Sequence, residues 1–433
     1  MTSSPHLRAT LRLLAVAVLA VVLAAAVGCS GDGGDGDDGD GGDDAGTPSG
    51  DSDDSGDSGD APSGDSDGEE ATPPPAEEFT GTVDAFYEVP DPLPPGEPGD
   101  LIRTQPLDAQ DGEAGLRIMY HSTDVNDDDR AVTGVVYHPT GEPPDGGWPV
   151  LASAHGTTGI ASPCAPSRLP LVPEAFGVEG VRVATDYIGL GPVGEIHSYL
   201  SATAEGNAVI DSVAAVQQIP EANAGDRWLA VGHSQGGHAA LITNERAAER
   251  LPDHELLGTV AIAPGAQFTE SYGDDVQIRI ISSMILLGGV DENPDIDPAD
   301  YLNPEALAAA ESVAGTGCLD QIVDVMLPFA AADDFYVTEP MSDAASRAWL
   351  EENDPGQVVS DSPLLLVQGG RDGIVVPART QALFERLCGL GQVVDLVDLP
   401  DADHGGEPAL GAGQISAWFA DRLADRPAPD GCS

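Results

Sequence analysis

Three residues in one order offer chemistry: a serine in Gly232-His233-Ser234-Gln235-Gly236, an aspartate in Gly369-Gly370-Arg371-Asp372, and a histidine in Asp403-His404-Gly405-Gly406. A serine hydroxyl is a poor nucleophile at neutral pH. It needs a base within hydrogen-bond reach and an acid that holds the base in one tautomer. Ser234 is the candidate nucleophile because glycines stand two residues to either side, where a Cβ would strike backbone in a sharp strand-to-helix turn. An ordinary loop that happens to contain serine is the alternative; the apolar run Trp228 to Val231 before it and the Ala-rich helical pattern after it favour the elbow. Asp372 directly follows the apolar run Leu364 to Val367, at the carboxyl end of an expected strand where open sheets gather functional groups. A helix N-cap is its other reading. Asp395, Asp398 and Asp403 lie too near the histidine in sequence to be preferred, and His404 is the only histidine downstream of Asp372. His121 and His138 fall on early strands and His254 in a surface loop, while His233 and His238 flank the serine and are expected to pack.

Acyl transfer through a tetrahedral intermediate needs two donors for the oxyanion, and the backbone amide of Gln235 is the first. The second is expected from Ser153-Ala154-His155-Gly156-Thr157-Thr158-Gly159, where glycine lets backbone approach a substrate. Thr157 and Thr158 are equal candidates by spacing.

These residues need elements to hold them. Short β-rich runs cover Leu116 to His121, Ala131 to His138, Val150 to Ala154, Val181 to Thr185, Trp228 to Val231, Thr259 to Ala263, Pro363 to Val367 and Val393 to Leu399. Helical patterns cover Ala202 to Gln218, Gly237 to Leu251, Pro377 to Leu390 and Pro408 to Ala424. Such alternation predicts a mostly parallel eight-stranded sheet with helices on both faces and antiparallel first strands, which fits the α/β-hydrolase plan. Between about 265 and 362 the alternation stops. A stretch that long is too long for a bare loop, and it predicts a helical cap over the site. Residues 79 to 115 are expected to lie across the core surface.

The chain has 433 residues and a net charge of −57, with 17 basic residues, all arginine. That excludes nucleic acid as a partner. Residues 1 to 28 carry Arg8 and Arg12, then an apolar run ending in Ala26-Val27-Gly28-Cys29, which reads as an export signal. Small residues before a cysteine resemble a bacterial lipobox, with Cys29 as the lipidated new amino terminus. Ala26 departs from the usual leucine, and a plain secretory signal is the alternative. Residues 29 to 78 follow as a Gly/Asp/Ser tether, with 18 acids and no base between 30 and 78, too polar to bury a core. This leaves residues 79 to 433 as the folded domain. Setting Cys29 aside, four cysteines in an exported chain make two bridges in one of three pairings.

One further set of motifs is more specific. His155-Gly156-Thr157-Thr158-Gly-Ile-Ala-Ser-Pro-Cys164-Ala-Pro-Ser, then Ala184-Thr-Asp186-Tyr187-Ile-Gly189-Leu-Gly191 and His197-Ser-Tyr199, together with Gly-His-Ser234-Gln-Gly, resemble the secretory lipase family over roughly residues 80 to 432. The resemblance implies hydrolysis of triacylglycerols or simpler esters through an acyl-enzyme, a helical cap, and no cofactor or metal. It implies bridges Cys164–Cys318 and Cys388–Cys432, and reads His155, Gly156, Asp186 and Tyr187 as loops that shape the site; a salt bridge or helix cap is the duller role for Asp186 and Tyr187. The expected protein is an extracytoplasmic, lipid-anchored monomer acting on ester or lipid substrates. A short-chain or polyester esterase and a non-catalytic binding lipoprotein are the rival readings.

Overall fold

A computed structural model describes residues 74–169, 171–270 and 275–432. The expected signal, Cys29 and most of the expected tether lie outside the described residues. Ten strands form one sheet: β1 (Glu77–Glu78), β2 (Leu101–Leu107), β3 (Glu113–Thr123), β4 (Asp129–Pro139), β5 (Trp148–Ala154), β6 (Val181–Thr185), β7 (Ala224–His233), β8 (Glu255–Ile262), β9 (Leu364–Gly369) and β10 (Val394–Leu399). Their spatial order is β1-β2-β3-β4-β6-β5-β7-β8-β9-β10. β2, β3, β4 and β6 pair antiparallel, and β6, β5, β7, β8, β9 and β10 pair parallel.

All eight expected strands are present, and the count of eight is corrected to ten. Leu101–Leu107, expected to lie across the surface, is instead a strand beside β3. Glu77 and Glu78, placed in the expected tether, pair with Arg103 and Thr104 of that strand. Both additions sit at the edge, where Pro106 costs no central ladder bond.

Eight helices of eight residues or more are described: α1 (Ala202–Val216), α2 (Gln235–Arg250), α3 (Val276–Gly288), α4 (Pro304–Ala314), α5 (Leu319–Ala330), α6 (Ala344–Glu352), α7 (Pro377–Leu390) and α8 (Glu407–Leu423). Helices α1, α2 and α7 cover one face of the sheet, burying Ala152, Ala230, Ala261 and Leu366. On the other face Ile415, Trp418 and Phe419 of α8 pack on Leu365, Val367 and Val260. β9 is buried at every position, as expected of a central parallel strand with helices on both sides.

Between β8 and β9 stand α3, α4, α5 and α6, with a separate apolar core around Met284, Ile285, Ile322, Met326, Phe335 and Trp349. Local signals set their starts. Asp275 caps α3, Asn303 with Pro304 opens α4, and Asp343 accepts the Ser346 amide to start α6. Two disulfides tie this frame, Cys164–Cys318 and Cys388–Cys432, with Cα separations of 5.4 and 5.3 Å. They are the pairs that the resemblance implied. The first joins the stretch after the Thr157–Thr158 loop to the start of α5, where the Leu319 amide also donates to the Thr158 carbonyl at 2.8 Å.

Candidate active site

The register brings five strand ends together. Ala154 of β5 lies beside Gly232 of β7, His233 beside Ile262 of β8, and Gly369 of β9 beside Leu399 of β10. The segments leaving these carboxyl ends carry His155, Ser234, Asp372 and His404. This is where the sequence placed them.

Ser234 has φ 60° and ψ −115°, outside the ordinary regions for a residue with a Cβ. It begins α2, while its own amide donates to Ile262 and its carbonyl accepts from His238 and Gly265. The flanking glycines are needed on steric grounds: a Cβ on Gly232 would fall on the Gly236 carbonyl, and one on Gly236 on the Ala154 carbonyl. Gly156 runs close by, its Cβ direction ending 4.0 Å from Ser234 Cβ.

His404 Nδ1 donates to Asp372 Oδ2 at 2.8 Å, with both side chains buried. Asp372 Oδ1 accepts the amides of Ile374 at 2.7 Å and Val375 at 3.0 Å. Burial pushes the Asp372 carboxyl up, but the His404 hydrogen bond and charge, with those two amides, hold it below its ordinary value. The pair faces the elbow: the His404 ring lies 4.6 Å from the ring of His233, and Ile374 and Val375 line the same cavity as Ser234.

That cavity measures about 60 Å³ and is walled by Leu200, Phe268, Ile278, Ile281, Ile285 and Val375. Three of these walls come from α3, so the insertion helps to form the cavity at the serine. Around Gln235, whose backbone amide follows Ser234, lies a buried polar network. The Gln235 side chain donates to Glu205 at 2.8 Å, and Glu205 also accepts from the Leu200 amide at 2.9 Å and from His238 Nδ1 at 2.6 Å. Burial pushes the Glu205 carboxyl up, but His238 and His197 bring it down to about 2; Glu205 in turn raises His238 against its own burial. His238 packs as expected, and both its ring nitrogens also face acceptors, Glu205 Oε2 and the Asn353 carbonyl at 2.9 Å. Sequence reasoning missed Glu205, because a single acid in the helix Ala202–Val216 reads as an ordinary helix residue until its packing is known.

The other site residues divide. The Thr157 hydroxyl pairs with the Tyr199 hydroxyl at 2.6 Å, and Tyr199 lines the Ser234 cavity. Thr158 instead faces the insertion through its carbonyl. Tyr187, in left-handed backbone at φ 70°, donates to the His155 carbonyl at 2.8 Å and stacks on the His155 ring at 4.3 Å. It supports the loop from below. Burial lowers His155 to about 4, which keeps its ring neutral. The Asp186 carboxylate turns away to Thr133, Ser167 and the Ser167 amide, and burial raises it to about 6. It lines a second cavity, not the one at Ser234.

Sheet, elbow and strand-end residues define an α/β-hydrolase. Solved structures show the same fold: Candida antarctica lipase A in its closed state is 16% identical with a TM-score of 0.67, over 80% of this chain and 87% of that one. A ligand-bound form of the rice cell wall degrading esterase LipA from Xanthomonas oryzae is 19% identical with a TM-score of 0.63, over 77% and 100%. No match is found among curated proteins. The profile of the secretory lipase family matches residues 176–431, more than half of the chain, and the chain belongs to that family. It is a carboxylic ester hydrolase of the lipase and esterase kind.

Proposed function

We propose that the protein hydrolyses lipid and simpler carboxylic esters outside the cytoplasm through an acyl-enzyme on Ser234. His404 takes the Ser234 proton as Oγ attacks the ester carbonyl, and Asp372 holds His404 with its Nδ1 protonated. The oxyanion is received by the Gln235 amide and by Thr157, whose hydroxyl meets that of Tyr199, a residue lining the Ser234 cavity. His404 then gives its proton to the leaving alcohol. Water, deprotonated by the same histidine, releases the acid and restores Ser234. The observation that carries this reading is the 2.8 Å His404–Asp372 hydrogen bond at the strand ends beside the serine elbow. Residues 265 to 362 act as the cap, residues 1 to 28 as the export signal, and an acylated Cys29 with the acidic tether holds the domain at a membrane surface. Two disulfides and a secretory family fit an extracytoplasmic location.

A second reading concerns the substrate. A cavity of about 60 Å³ has room for only about two water-sized groups. With α3 where it stands, this cavity suits a short acyl group, and a displaced α3 would enlarge it for a longer one. Initial rates on p-nitrophenyl esters from acetate to palmitate and on emulsified triolein test both. A preference for long chains means that the cap opens to take them. Activity on acetate and butyrate alone assigns a short-chain esterase, and no ester hydrolysis at all sinks the proposal.

A further inference from the structure

Behind the His404–Asp372 pair lies a buried carboxyl that the scheme above does not use. Glu407, in the first turn of α8, is fully buried. Its Oε1 accepts from the Gly369 amide and, at 3.2 Å, from Gln368 Nε2. Its Oε2 has no N–H donor, and His233 Nε2, which it faces at 3.5 Å, has no partner either; a proton on Glu407 would also reach the Asp372 carboxylate, with which its side chain is in hydrogen-bond contact. His233 is also hydrogen-bonded to the His404 backbone, and its ring packs on the His404 ring. With Nε2 unpartnered, that bond runs through Nδ1–H and leaves a lone pair on Nε2. A carboxylate at Glu407 would set lone pairs against that nitrogen, with Asp372 a second buried negative charge beside it. One proton on Oε2 removes both conflicts.

We propose that Glu407 is a neutral carboxylic acid that shares its proton with His233, and that the two are positioning residues for His404. The proposal rests on the reading of His404 and Asp372 given above. His233 fixes the His404 backbone and ring, and Glu407 fixes His233. The groups that face Glu407 are His233 from β7, Gln368 from β9, Asp372 from the loop after β9, and Asp403 and His404 from the loop after β10. Burial and the Asp372 charge raise the carboxyl to about 9, and burial with the His404 charge lowers His233 to about 3, so the proton stays on the oxygen. Neutrality has a consequence for turnover. A carboxylate 4.0 Å from His404 Nδ1 would stabilise the imidazolium and hold back the proton that the leaving alcohol needs.

The test uses the whole purified enzyme and three measurements. The acid limb of kcat/KM against pH reports the free enzyme's base. In Glu407→Gln it should stay within about 0.3 pH unit of the wild type, because a neutral group replaces a neutral group; a downward shift of about one unit would mean that Glu407 was ionised. Thermal unfolding of the same variant gives a readout that does not depend on turnover. A raised folded-state pKa means that the wild type loses stability as pH climbs from about 4.5 toward 9, while glutamine does not. The Tm advantage of Glu407→Gln should therefore grow across that window, and a constant difference overturns the proposal. Glu407→Asp, too short to span Gly369 and His233, should lower kcat about tenfold with KM unchanged. An unaltered kcat there removes the positioning role. If Ser234→Ala keeps full turnover, the catalytic reading fails while the unfolding measurement still decides the state of Glu407.

Discussion

Replacing Asp372 by Asn exchanges one carboxylate oxygen for an NH₂ group and should nearly abolish turnover, for a reason visible in the hydrogen bonds. Oδ1 of Asp372 accepts two backbone amides, from Ile374 and Val375, and Oδ2 accepts His404 Nδ1–H. An asparagine must put its single oxygen toward the two amides, since two N–H donors would otherwise meet its own NH₂. The NH₂ then points at His404 Nδ1, which becomes an acceptor and sends its proton to Nε2. A histidine protonated at Nε2 cannot take the serine proton. The corresponding change in a serine protease costs about 10⁴ in kcat, which converts to about 5.4 kcal/mol of barrier at 1.36 kcal/mol per decade. The same magnitude is expected here because the acceptor pattern is the same. Folding should survive, because the amide is an isostere of the carboxylate. The assay is initial-rate hydrolysis of p-nitrophenyl butyrate by wild type and variant, beside thermal unfolding of each. A variant within tenfold of wild type would refute the tautomer argument and move the role to another acid.

Other outcomes follow from the same structure. Gly236→Ala drives a Cβ into the Ala154 carbonyl, so it should cost about 3 kcal/mol or more in urea unfolding and lower kcat through a displaced elbow; wild-type stability would mean that the turn is slack. Removing the Cys164–Cys318 bridge with paired serines frees a loop of 154 residues' separation, worth up to about 5 kcal/mol in the chain-entropy model. It also loosens the Thr158–Leu319 link, so kcat should fall along with Tm, and an intact kcat would uncouple that loop from catalysis. Asp186 has its carboxyl raised to about 6 by burial, so its contribution to stability is intact below about 3.9 and lost as pH rises through 6. Asp186→Asn should therefore gain on the wild type between pH 4 and 6, by about 3 kcal/mol in all, and hold level above that. A difference that does not change with pH would contradict the raised value.

What could be read from the sequence was whatever depends on local pattern. The eight central strands and the helices at Ala202, Gln235, Pro377 and Glu407 announce themselves because buried parallel strands are continuous apolar runs and the helices between them repeat at 3.6 residues. Ser234, Asp372 and His404 were legible for the same reason, each standing where such a run ends. β2 was not, because Arg103, Thr104, Gln105 and Pro106 break both alternation and apolarity, and its place comes from pairing with Tyr120 through Gly115. Helix α6 hid behind a short pattern with one strong cap at Asp343. Glu205 and Glu407 look like ordinary helix acids in one dimension. Only packing shows that both are buried, the first against two histidines and the second behind the His404–Asp372 pair. That Thr157 and not Thr158 meets Tyr199 was likewise invisible in one dimension.

The central claim is that Ser234 attacks the ester. Mass spectrometry of the purified protein after treatment with a fluorophosphonate, with peptide mapping and a parallel p-nitrophenyl butyrate assay, tests it directly. The account predicts one adduct per chain, on Ser234, with hydrolysis lost in step and no adduct on that peptide in Ser234→Ala. An adduct on another residue, or an enzyme that stays unlabelled while it turns over ester, would contradict it.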